Sequence, residues 1–175
     1  MNIRLLAFLL LTVLGASACV SAQKYKEEEA LNQELQSELA ANQVQIKELN
    51  DELTVSMVNE LLFPSGSADL NRSGKTVLDK IMPTLKSVTD KHIEVRGYTD
   101  NVPIGGSLKR RYKSNWELST ARATSVLEFL QKGGVAPTLL SARGFGEYQP
   151  IAPNDSNENR AKNRRTDIVI IGKDR

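Results

Sequence analysis

The chain has 175 residues, 40% of them hydrophobic and 25% charged, with a formal net charge of +2 at pH 7. This composition excludes collagen-like, multi-span membrane and wholly disordered chains. One cysteine excludes an internal disulfide framework, and one histidine leaves few metal or Ser–His schemes. The charge is unevenly placed: residues 1–22 carry only Arg4, residues 23–53 carry three Lys against eight acids, and from Thr54 onward 19 Lys and Arg face 13 Asp and Glu. The segments therefore count +1, −5 and +6.

At the N-terminus Arg4 precedes an apolar run, Leu5–Leu14, and then the small residues Gly15-Ala16-Ser17-Ala18 before Cys19. A spanning helix needs about 20 apolar residues, and this run is shorter. Charge, short apolar run and small residues in that order predict a secretory signal peptide over residues 1–18. The position of the only cysteine resembles a bacterial lipoprotein signal, which implies lipidation at Cys19, although Ala16 stands where such signals usually carry Leu. Val20 in place of Asp implies, by the same resemblance, a lipid-anchored protein of the outer membrane facing the periplasm. Ordinary cleavage would instead release a soluble periplasmic protein.

Residues 24–56 contain no Gly or Pro and are rich in helix formers. With Leu35 at heptad position d, Leu39, Ile46 and Leu53 fall at a, and Leu49 falls at d, with Asn32, Asn42 and Ser56 interrupting the seam. This predicts an acidic helical spacer over 19–56, a short coiled coil through which the chain forms a homo-oligomer, or else a monomeric solvated helix.

The remaining residues, 57–175, form the expected domain. Val55–Phe63 reads as a strand ending at Pro64-Ser65-Gly66. Asn71 is an N-cap for a helix with Leu78, Ile81, Met82 and Leu85 on one side, which Pro83 should kink or end early. His92–Thr99 alternates as a half-buried strand, with Ile93, Val95 and Gly97 on one face. A polar, basic loop, Asp100–Ser114, leads to a second helix capped by Asn115 and stopped at Gly133-Gly134, with Trp116 and Phe129 expected in the core. Ser141–Phe145 is a third strand, Asn159–Arg164 a basic helical turn, and Asp167–Ile171 the last strand. The order predicts an α+β two-layer sandwich, with a mixed four-stranded sheet and helices on one face.

Four strings carry a family resemblance: Gly97-Tyr98-Thr99-Asp100-Asn101, Asn115-Trp116-Glu117-Leu118-Ser119-Thr120-Ala121-Arg122-Ala123, Gly144-Phe145-Gly146-Glu147 with Pro150, and Asn159-Arg160-Ala161-Lys162-Asn163-Arg164-Arg165. In this order and spacing, over about residues 57–173, the domain resembles the OmpA-like peptidoglycan-binding family. The resemblance implies non-covalent binding of peptidoglycan at the diaminopimelate residue of its stem peptide. It puts the family's binding aspartate on Asp100 and its binding arginine, in the Leu118-Ser119 string, on Arg122. Thr99, Asn101, Asn115, Leu118 and Arg164 are the further site candidates. Diaminopimelate carries an ammonium and carboxylates, so an acid and a forked cation held apart suit it. The Asn101-Val102-Pro103-Ile104 opening and the Ser114–Ser119 string are most like the stator-type branch of the family.

No His-Glu-x-x-His, Gly-x-Ser-x-Gly or paired-carboxylate frame is present, so no enzyme is expected, and no cofactor or metal. The basic clusters at 109–113 and 160–165 are expected to be solvated charge, and an exported chain has no nucleic acid to meet.

Overall fold

Arg165–Gly172, rich in Ile and Val, forms the strand on which the sheet is built; in the computed structural model, which describes residues 44–49 and 52–172, its first six residues are buried. The strands are β1 (Val44–Leu49), β2 (Glu52–Val58), β3 (Lys91–Gly97), β4 (Leu140–Gly144) and β5 (Arg165–Gly172), arranged β1-β2-β5-β3-β4. The helices are α1 (Asn59–Leu62), α2 (Arg72–Ser87), α3 (Asn115–Lys132) and α4 (Asn157–Asn163). Neighbouring strands are antiparallel except β3 and β4. A parallel pair requires a crossover, and α3 supplies it, packing on both strands.

The expected α+β mixed sheet is present, with five strands where four were expected. The difference lies at the N-terminal side. The signal segment, Cys19 and the spacer up to residue 43 lie outside the described residues, and β1 pairs with β2 where the helical spacer was expected to run on to residue 56. Helix propensity yields here to pairing: β2 is held along β5, and Val44 and Ile46 of β1 sit opposite buried Met57 and Val55. Ile46 and Leu53, both at heptad a positions, also share one face of this ladder, where Ile46 stands opposite Val55 and Leu53 opposite Glu48.

The first strand of the expected domain also ends sooner. β2 stops at Val58 because buried Asn59 diverts the backbone: its Nδ2 donates to Tyr98 O (3.0 Å), and its Oδ1 accepts from Thr166 Oγ1 (2.8 Å). Helix α2 passes through Pro83 to Ser87; the proline is exposed, while Ile81, Met82 and Leu85 on either side of it are buried. Helix α3 is capped by Ser114, whose Oγ accepts from Glu117 N (3.3 Å), and not by Asn115, the first helical residue. Trp116 is about half exposed and Phe129 half-buried, so neither belongs to the core.

The core is built from Ile93 and Val95 of β3, Ile168 and Ile170 of β5, Leu78 and Leu85 of α2, and Val126 and Leu130 of α3. Its tightest contact is glycine-dependent. An added Cβ at Gly97 would lie 2.1 Å from Ser119 O, and one at Gly144 would lie 2.6 Å from Thr120 N. Without Cβ atoms there, β3 and β4 lie against the first turns of α3, and the end of β3 is set beside the helix that carries Arg122. Gly97→Ala is expected to cost about 3 kcal/mol, because a backbone carbonyl has no room to give. Urea unfolding measures this, and an unchanged midpoint would contradict the close approach.

Candidate functional site

Beyond Gly97 the chain leaves β3 as Tyr98-Thr99-Asp100. Tyr98 N donates to Arg165 O (2.9 Å) and Thr99 N to Gly146 O (2.9 Å), so two neighbouring segments hold the departing backbone. The Tyr98 ring stacks on Phe145, with centroids 5.0 Å apart and planes 8° from parallel. Arg165 covers the Tyr98 ring at 3.6 Å, and Arg143 covers Phe145 at 4.6 Å. Burial, and secondarily the Asp167 carboxylate, push the Tyr98 phenol up to about 12, while Arg165 pulls the other way.

Asp100 is 9% exposed at the mouth of this stack. Its Oδ1 accepts from Val102 N (3.1 Å) and its Oδ2 from Arg164 Nη1 (2.8 Å). Arg164 also donates through Nε to Glu60 Oε1 (2.6 Å), giving a chain of acid, cation and acid. Desolvation lowers the Arg164 pKa, but the two carboxylates outweigh it and the net shift is upward.

Arg122 is placed differently. It lies four residues after Leu118, on the same face of α3, and is 8% exposed. Its Nε donates to Ser67 O (3.1 Å), and its guanidinium lies 5.3 Å from the centre of the Phe63 ring. Among the described residues neither terminal nitrogen has a hydrogen-bond partner and no carboxylate forms an ion pair with it, so Arg122 is not the structural partner of Asp100. Burial lowers its pKa; Glu60 is the strongest of the charges acting against that.

These groups line one cleft of about 440 Å³. Thr99, Asp100, Asn115, Leu118, Arg122 and Arg164 all contribute to its wall. The Asn115 Nδ2 reaches Asp100 O (3.4 Å), Val102 O (3.1 Å) and Glu147 Oε2 (2.7 Å), tying the start of α3 to two loops. Asn101 is not brought in: it is exposed and outside the lining, its place taken by Val102 through the Asp100 turn. Glu60, Phe63 and Leu108 line the cleft without having been anticipated. Glu60 and Phe63 fell in the stretch read as strand, and Leu108 sits in a short 3₁₀ turn, Gly106–Arg110, inside the basic loop. Val102, Pro103 and Ile104 from the start of that loop also line the wall, whereas its basic cluster, residues 109–113, stays outside it, and Arg111 pairs with exposed Asp69 at 3.5 Å. The charged side chains of the lining are two acids, Glu60 and Asp100, and two arginines, Arg122 and Arg164. A balanced, partly apolar cleft of this kind suits a zwitterion more than a simple anion or cation.

The sequence pattern of the OmpA family matches residues 62–164, from the end of α1 to the residue after α4. The chain belongs to the OmpA family. It is 36% identical over 127 residues to Motility protein B of Helicobacter pylori, a match spanning 71% of this chain and 48% of that protein. It is 34% identical over 110 residues to peptidoglycan-binding protein ArfA of Mycobacterium bovis, spanning 63% of this chain and 32% of that one. The chain thus spans half or less of the length of these curated relatives. Among solved structures, the cell wall anchor of the T6SS from Pseudomonas aeruginosa superposes with a TM-score of 0.73 at 32% identity, covering 82% of this chain and 97% of that one.

The Tyr98 stack generates a pH prediction. The folded state favours the neutral phenol up to about 12, whereas the unfolded chain releases that proton near the ordinary value of 10.0. Stability should therefore fall as pH rises through that window. Relative to wild type, Tyr98→Phe should lose less stability between pH 10 and pH 12, the difference reaching about 2 kcal/mol. Urea midpoints of the two proteins measured across that range check this; parallel declines would contradict it.

Proposed function

We propose that the cleft binds peptidoglycan without turning it over, holding the diaminopimelate residue of a stem peptide and so fixing the chain to the cell wall. The observation that carries this reading is the unpaired, buried Arg122 beside the acid pair Asp100 and Glu60. A buried cation without a carboxylate is costly, and a ligand carboxylate on its two terminal nitrogens relieves that cost with a forked hydrogen bond. The distal carbon of diaminopimelate bears both a carboxylate and an ammonium. With the carboxylate on Arg122, the ammonium faces Asp100, whose Arg164 partner leaves further acceptor capacity on both oxygens. The names of ArfA and of the T6SS cell wall anchor support the same ligand class.

On the same reading Cys19 carries the lipid and the protein tethers the outer membrane from the periplasmic side. The similarity to Motility protein B favours a second reading, a stator-type wall anchor of a motor or secretion complex. The two differ in the membrane reached, so density separation of inner and outer membranes decides between them. Retention of Cys19→Ser in the membrane fraction would contradict lipid anchoring.

Sedimentation with purified sacculi tests the site. Wild type should pellet with the sacculi, and Asp100→Ala and Arg122→Ala should each bind at least about tenfold more weakly, since each removes one member of a charged pair. Arg111→Ala should pellet as wild type does. Equal pelleting of all four proteins would contradict the proposed site, and release of soluble muropeptides would contradict binding without turnover.

A further inference from the structure

Among the described residues, four large hydrophobic side chains stand out as exposed: Val102 at 52%, Trp116 at 48%, Tyr148 at 63% and Ile151 at 60%. Isolated exposed apolar residues are ordinary on a protein surface. Three of these four are not isolated. Asn115 donates to Val102 O and to Glu147 Oε2, Trp116 follows Asn115 in the chain, and Tyr148 follows Glu147. One hydrogen-bonded residue of the cleft wall thus gathers an apolar rim around itself.

The two aromatic rings of that rim are ordered against each other. Trp116 and Tyr148 stack with centroids 5.1 Å apart and planes 24° from parallel. The loop beneath them is fixed: Gly146 N donates to the buried Ser119 Oγ (3.0 Å), and Gly146 has φ +57. A Cβ added there would lie 3.6 Å from Trp116 Cδ2, so this backbone backs the indole. The rim is therefore a preorganised aromatic surface, about half in water, bordered by the polar groups of Asn115 and Glu147. Exposed apolar area of this kind, rimmed by polar groups and continuous with a cleft, is the mark of an extended ligand site.

We infer that Trp116 and Tyr148 form a saccharide platform that stacks on the glycan portion of the same polymer whose stem peptide occupies the cleft. This rests on the peptide-binding reading of the cleft. A stem peptide is covalently joined to an amino sugar, so a ligand held between Asp100 and Arg122 carries a pyranose ring on a short tether. A pyranose presents an apolar C–H face and a polar edge of hydroxyl and acetamido groups. The aromatic pair matches the first, and Asn115 and Glu147, each next in sequence to one of its rings, supply polar groups for the second. The platform contributes to affinity without touching the charged recognition of the peptide.

Trp116 is the sole tryptophan of the chain, so its emission reports on this surface alone. The full mature chain is titrated with two soluble probes, the diaminopimelate-containing stem tetrapeptide and the disaccharide tetrapeptide built on the same peptide. Binding is followed by calorimetry and by tryptophan emission. Wild type should bind the sugar-bearing probe about tenfold more tightly than the free peptide, the gain that a stacked aromatic contact supplies. Only the sugar-bearing probe should shift the emission. Tyr148→Ala and Trp116→Ala should abolish the gain and leave the affinity for free peptide unchanged; Asp100→Ala should weaken both probes. Equal affinity of wild type for the two probes overturns the platform while leaving the cleft intact. Failure of wild type to bind either probe overturns the cleft reading and the platform with it. A concentration-dependent dimer that Trp116→Ala dissociates, with no preference for sugar, assigns the surface to a second copy of the chain and overturns the inference.

Discussion

Arg122 is a buried guanidinium whose only hydrogen bond among the described residues is to a backbone carbonyl, and the groups around it in the cleft bear on that charge. Arginine is a permanent cation, and burial, which lowers the Arg122 pKa, therefore works against a charge the site has to carry. The protein spreads the cost over the Ser67 carbonyl, the face of Phe63 and the field of Glu60. None of these is a carboxylate in contact, so among the described residues the Arg122 guanidinium lines the cleft without an ion-pair partner. Asp100 is not that partner, because Arg164 and its own turn engage its carboxylate.

What keeps the two charges apart is the scaffold. Asp100 departs from a strand and Arg122 projects from a helix, and the two elements are locked where Gly97 meets the Ser119 carbonyl. The stack of Arg165, Tyr98, Phe145 and Arg143 then fixes the strand end, and Asn115 fixes the loop beyond it. Both charged groups thus sit on elements whose positions are set by buried contacts, which limits the ordering that binding requires. The closing segment Arg164-Arg165 serves both parts: one arginine bridges the two cleft acids, and the next lies against Tyr98 in the support beneath them.

The elements legible in the sequence were those with a period and a punctuation mark. The helix ending at Gly133-Gly134 and the alternation around Ile93 and Val95 had both, and they appear where expected. The pairing of β1 with β2 was hidden because residues 44–56 are rich in helix formers and hold no Gly or Pro, and only pairing with β5 decides for the extended chain. The cap of α3 was misplaced by one residue, because Ser114 and Asn115 are both good capping types and local chemistry does not rank them. In the site, Asp100, Arg122, Asn115, Leu118 and Arg164 were named through family strings, and the fold brings them to one wall. Glu60 was beyond reach, since its position depends on β2 ending before Asn59, which is fixed by partners 39 and 107 residues away. Trp116 was read as core on residue type alone, whereas its position one step past Asn115 puts it on the rim.

On the proposed reading Arg122 recognises the carboxylate on the distal carbon of diaminopimelate while the acids receive the ammonium on that same carbon. A stem peptide with lysine in place of diaminopimelate keeps the ammonium and lacks that one carboxylate. Calorimetric titration of wild type and Arg122→Ala with both peptides isolates the contact as a double-mutant cycle. Wild type should prefer the diaminopimelate peptide by at least about tenfold, and Arg122→Ala should bind the two equally. A preference that survives in Arg122→Ala, or its absence in wild type, would contradict that reading.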